Sequence, residues 1–220
     1  YGEIRRRWEP IVEITQYKGD SEAHQTLSPD DPFADFENYP YYIQRDWTEY
    51  KPQVGDFVRS ALIRGLQLEQ KIGVNPYQFG VIGSTDAHTG LAAAEESNFH
   101  GKFATDSMPS AKLDGWSDNA NSSFGWGMGA QGLAAVWAEE NTREAILAAM
   151  KRRETYATTG PRISLRFYAG YDLDGALLTS SSLPTDLSDA VAMGAEIAAK
   201  GASAPTFLVQ AAADPTSGAL

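Results

Sequence analysis

Three histidines, His24, His88 and His100, occur in the 220-residue sequence, and two of them stand two positions after a carboxylate, as Glu22-Ala23-His24 and Asp86-Ala87-His88. In extended backbone, residues i and i+2 project to the same side about 6 to 7 Å apart. Each triplet can therefore bring a carboxylate and an imidazole to one metal ion or to two adjacent ones. The second triplet directly follows Tyr77 to Gly83, which reads as a strand. Folds with parallel strands place functional residues at strand carboxyl ends. Gly83 and Gly90 bracket the triplet, as sterically constrained backbone requires. The competing reading is a surface acid–imidazole pair or a helix cap, and spacing alone leaves both open. His100, in Asn98-Phe99-His100-Gly101, has a loop setting that suits a solvated or structurally bonded ring.

Other chemistries are set aside by absence of pattern. There is no cysteine, which removes thiolate ligands, thiol nucleophiles and disulfides but does not decide the compartment. Gly125-Trp126-Gly127-Met128-Gly129 lacks the strand before and helix after that make a phosphate or dinucleotide loop. No serine sits in a nucleophile elbow. Asn121-Ser122-Ser123 matches a glycosylation sequon and reads equally as a polar turn. With 29 acidic against 18 basic side chains the net charge is −11, which repels phosphate backbones and argues against nucleic acid as a partner. No apolar run approaches the roughly 18 residues of a membrane span.

The elements that must position these residues follow an α/β rhythm. Ile11 to Thr15 reads as a strand buried on both faces, with Glu13 as its lone charge. Ser28 to Pro52 is a Pro-, Asp- and aromatic-rich loop of the kind that covers sites. Asp56 to Ile72 carries apolar residues at helical spacing, with Asp56 as N-cap and Gly73 past its end. Met108 to Gln131 reads as a surface loop holding Trp116 and Trp126. Gly132 to Ala138 reads as a buried strand, and Asn141 to Glu144 as a capping-box start of a helix through Arg153. From Arg162 the pattern becomes period two, with Ile163, Leu165, Phe167 and Ala169 on one face. Ala190 to Lys200 fits either helix or strand and turn. Pro205 to Ala213 reads as a strand, and Asp214 to Leu220 as a turn towards a partner strand that does not follow. That ending, and an opening on Tyr1 with no signal-peptide pattern, are expected of a piece of a longer protein.

Three stretches, Arg5 to His24, Phe79 to Leu91 and Gly132 to Ile163, resemble in this order the bacterial domain of unknown function 3604 family, itself similar to the polymerase and histidinol phosphatase (PHP) metal-dependent hydrolases. The resemblance implies an α/β fold: the C-terminal portion of a distorted β/α barrel of PHP or amidohydrolase type over residues 1–160, followed by an incomplete, sandwich-like β-rich module over 161–220. It implies two or more divalent ions, zinc, manganese or iron, and an activated water. Asp86 and His88 match the Ser-Asp-x-His ligand element, with Thr85 at the position before it. Glu13 matches a strand that ends at the metal pocket, and Glu22 and His24 fall in a stretch typical of the family. The His-x-His pair that opens PHP-like proteins has no counterpart here, so those ligands are expected on a missing N-terminal half or on another chain.

The expectation is thus a metal-dependent hydrolase of phosphoesters or related esters, with Asp86, His88 and His24 catalytic, and Asp86, His88, Glu13, Glu22 and His24 as metal ligands. Its partner is a small anionic or ester substrate, with Lys18, Arg152 and Arg162 as anion contacts. The alternative is an extracytoplasmic ligand-binding module without catalysis, in which the five tryptophans and ten tyrosines stack on sugars or other rings. The compartment is undetermined, with a periplasmic or secreted setting favoured over a cytoplasmic one.

Overall fold

The β-branched run near the N-terminus becomes the central strand of the first sheet. The structure, a computed structural model, describes residues 1–43, 48–108, 124–173 and 190–217. Trp47, Trp116, the sequon at Asn121 and the end of the C-terminal turn lie outside the described residues. A short helix α1 (Gly2–Trp8) precedes β1 (Ile11–Gln16), which turns back antiparallel into β2 (Gly19–Asp20). The chain then runs through the aromatic loop and α2 (Val58–Ile72) to β3 (Gly80–Gly83), which lies parallel to β1 in the order β2-β1-β3. The β1–β3 register slips between Glu13 and Thr15, a bulge at the strand's carboxyl end.

Helix α2 ends as its sequence predicts, Gly73 taking the left-handed conformation with its N–H on the Glu69 carbonyl. Its start differs. Phe57, not Asp56, is the N-cap residue, because the Asp56 carboxylate accepts instead from the Tyr50 hydroxyl and the Gln53 amide. Strands β4 (Leu133–Val136) and β5 (Thr155–Thr158) flank α3 (Arg143–Arg152), whose N-cap Thr142 accepts from the Ala145 amide. A third sheet, ordered β7-β6-β8, joins β6 (Ser164–Gly170), β7 (Ala190–Ala192) and β8 (Thr206–Ala212), all antiparallel. The segment that fitted either helix or strand thus opens as a strand. Asp214 closes the turn after β8, accepting from Arg162, Thr216 and Ser217.

The expected distorted β/α barrel does not form. Among the described residues there are three α-helices and three sheets of two or three strands, and none of these sheets closes on itself, so the molecule is β-rich. A barrel of that kind needs strand–helix–strand units that repeat with parallel neighbours. Among the described residues only β1, α2 and β3 supply one. The other helix-linked pair, β4 and β5, is antiparallel and cannot continue a parallel sheet.

Two glycines let the second sheet approach the first. A Cβ on Gly83 would stand 2.8 Å from the Leu133 carbonyl, and Gly132, at φ +100°, would drive one into the Ser84 backbone. Both positions sit where β3 hands over to the segment bearing Asp86. Gly132→Ala is expected to cost at least about 2 kcal/mol of unfolding free energy in urea titration. Gly127→Ala, whose Cβ meets nothing within 4 Å, should stay within about 0.5 kcal/mol of the parent.

Candidate functional site

The segment after β3 presents Asp86 in the left-handed region at φ 51°, a conformation that costs a non-glycine residue energy and is held only by its surroundings. Four hydrogen bonds identify that support. The Lys102 ammonium, 2% exposed, donates to Asp86 Oδ2 at 2.5 Å, to the Asp86 carbonyl at 2.9 Å and to Gln16 Oε1 at 2.9 Å. Gln16, at the end of β1, donates through Nε2 to the same Asp86 Oδ2 at 2.7 Å. The backbone of Lys102 is fixed in turn, its amide donating to Asp106 Oδ2 and its carbonyl accepting from the His88 amide.

With Oδ2 engaged, Asp86 Oδ1 lies 3.1 Å from His88 Nε2. Both side chains reach solvent, at 40% and 58% exposure. The expected pair therefore forms, though through a left-handed Asp86 rather than the extended backbone that the spacing suggested. Burial alone would raise the Asp86 pKa. The Lys102 ammonium, with His88 and Gln16, outweighs that effect and holds the carboxyl below its ordinary range.

The remaining expected ligands go elsewhere. Glu13 accepts a short hydrogen bond from the Ser84 hydroxyl at the end of β3. Glu22 is gripped by Arg59 through two bonds of 3.0 and 2.7 Å, and the same guanidinium reaches Asp31 at 2.8 Å, tying the β2 turn to α2. His24 shares Nδ1 with Thr26 and packs its ring on Tyr50 and Phe57. Burial lowers its pKa. His100 meets Asn98 at 3.3 Å in an exposed loop. Arg152 pairs with Glu154, and Arg162 lies exposed 4.0 Å from Glu95.

The five-ligand metal set is therefore corrected. Among the described residues no three His, Asp or Glu side chains come together in a way that could hold a metal ion. Asp86 and His88 offer two donors, where zinc in a catalytic site takes three protein ligands. Taken alone, the described residues do not fit the metal cluster that the resemblance implied. Sequence reasoning also missed Lys102 and Gln16, which hold the pair. Lys102 is the basic residue after Gly101, whose φ of +74° marks a constrained turn, and nothing in its local pattern points to Asp86.

The family model described as Protein of unknown function (DUF3604) matches residues 1–220. No curated protein and no solved structure matches the chain. Among the described residues no helix is long and apolar enough to cross a membrane.

Removing either partner of the Asp86–Lys102 pair should destabilise unequally. Lys102→Met leaves a half-exposed carboxylate that water can solvate, and is expected to cost about 2 to 3 kcal/mol. Asp86→Ala leaves a buried ammonium with only neutral acceptors and should cost more, as urea titration will read. Because the folded pKa of Asp86 is depressed, its contribution is complete above the ordinary aspartate value of about 3.9 and is lost as pH falls below it. Asp86→Asn should flatten that acid-side slope.

Proposed function

We propose that this chain, which belongs to the DUF3604 family along residues 1–220, supplies part of the active site of a hydrolase that adds water to phosphoesters or related esters, with Asp86 and His88 as its catalytic pair. The observation that carries the reading is the 3.1 Å contact between Asp86 Oδ1 and His88 Nε2 on an accessible surface, backed by a buried ammonium on the other carboxylate oxygen. A carboxylate anchored on one side and bonded to an imidazole on the other fixes the ring's orientation and tautomer. With Nε2–H on Asp86, Nδ1 is the acceptor that takes a proton from water during attack and returns it to the leaving oxygen. The strained Asp86 backbone supports the reading, since such strain gathers at functional sites.

Charge is compatible with an anionic ester. Lys102 neutralises Asp86, so the pair does not add to the repulsion expected of an acidic chain. The kinship with PHP-like enzymes belongs to this proposal. A divalent zinc, manganese or iron ion supplies, when bound, an electrophile and a more acidic water.

With p-nitrophenyl phosphate as the model ester, Asp86→Asn and His88→Ala are each expected to lower kcat/KM at least about 100-fold. His100→Ala, outside the pair, should change it less than about threefold. Equal activity in the parent and both pair variants would overturn the assignment.

A further inference from the structure

Between the β1–β2 turn, the aromatic loop and the start of α2 lies a cleft of about 310 Å³ that contains neither Asp86 nor His88. One wall is aromatic. Residues 40 to 42 pair with 48 to 50 through a Tyr41–Glu49 bridge and two backbone hydrogen bonds, Tyr42 to Thr48 at 3.0 Å and Tyr50 to Pro40 at 2.9 Å. The rings borne on that ribbon lock edge to face. Tyr42 meets Tyr50 at 5.1 Å, Tyr39 meets Tyr41 at 5.7 Å, and Tyr50 and Phe57 enclose the His24 ring. Tyrosine rings, with only two side-chain torsions, offer flat apolar surface at little entropic cost on binding.

The other walls are polar and of mixed sign. Lys18 donates from its half-buried ammonium to Ser21 Oγ at 2.7 Å, and among the described residues no carboxylate lies within ion-pair distance of it. Burial lowers the Lys18 pKa, outweighing the nearby Glu13 and Asp20 carboxylates that would raise it. Asp20 and Asp56 contribute carboxylates, each already accepting from its own turn, and Asn38 a carboxamide whose NH₂ is spent on Gln25 and Ala34. With one ammonium against two carboxylates and a histidine whose pKa is lowered, the cleft is net negative.

That balance selects a ligand class. An anion would meet two carboxylates beside Lys18, and a plain aryl ring would make no use of the polar wall. A hydroxyl group both donates and accepts, so adjacent hydroxyls on one ring serve the ammonium and the carboxylates together. The same ring carries a C–H face that packs on tyrosine. The volume is at the small end for ligand pockets, which suits one ring rather than several. We infer that this cleft binds a neutral pyranose, packed against the tyrosine wall at Tyr42 and with its hydroxyls shared among Lys18, Asn38 and Asp56. The inference does not depend on hydrolysis at Asp86 and His88.

The test uses the full chain with a set of methyl pyranosides in the gluco, galacto, manno and xylo series, read by saturation-transfer NMR and titration calorimetry. Phenyl phosphate and p-cresol are the comparison ligands. At least one pyranoside is expected to bind at least tenfold more tightly than either. Tyr42→Ala and Lys18→Met, on accessible or half-buried side chains, should each weaken it about tenfold, the equivalent of 1.4 kcal/mol. A melting curve on each variant identifies any loss caused by unfolding, and Asp56→Asn then serves as the second variant. No pyranoside binding up to about 50 mM, a range that admits even very weak sites, would overturn the inference. So would tighter binding of phenyl phosphate or p-cresol, or pyranoside binding that survives these substitutions in folded protein.

Discussion

A single buried ammonium holds Asp86 in place. Lys102 is almost wholly removed from water, and a charge so placed is tolerated only when its donors are used. It uses them on Gln16 at the end of β1 and on both the side chain and the backbone of Asp86 after β3. Three stretches of chain that share no local motif are thereby fixed against one another. The left-handed backbone of Asp86 persists because the same ammonium accounts for its carbonyl, and the carboxylate is left with one oxygen to present outward.

The interior around this lock is polar to an unusual degree. The largest side chains fully withdrawn from solvent are Tyr17, Lys102, Gln131 and Asp106, and all four carry groups that need partners. They find them. Tyr17 exchanges hydrogen bonds with both the amide and the carbonyl of Ala93, Gln131 bridges Thr15 to Glu37, and Asp106 accepts from two successive amides. Networks of this kind add less to stability than apolar packing, but they discriminate sharply between one arrangement and its near neighbours.

What could be read from sequence was what is decided locally. The β-branched run of β1, the glycine stop of α2 and the threonine cap of α3 each arise from neighbours a few residues apart, and each is found; β6 forms as a strand, but its burial does not alternate, Phe167 being exposed. The Asp86–His88 contact belongs to the same class. Strand direction does not, and the barrel expectation failed there: the local pattern of β4, α3 and β5 is as compatible with antiparallel as with parallel pairing, and the chain takes the former. Two triplets of identical spacing also meet different fates. Arg59 on α2 takes Glu22, and Thr26 takes His24, so that triplet is drawn apart by partners its own three residues do not specify.

The parallel pairing of β1 with β3 bears on how the molecule comes to exist. Gln16 and Asp86 are 70 residues apart in the chain, and Glu13 and Ser84 are 71 apart. Contacts of such separation form only after the intervening segment has surrendered much of its freedom, which slows their appearance relative to hairpins. The two longer helices can organise early, whereas the lock that joins Lys102 to Gln16 must wait for segments 86 residues apart to meet. A ribosome-bound chain would hold Gln16 and Asp86 without their shared ammonium until residue 102 had emerged.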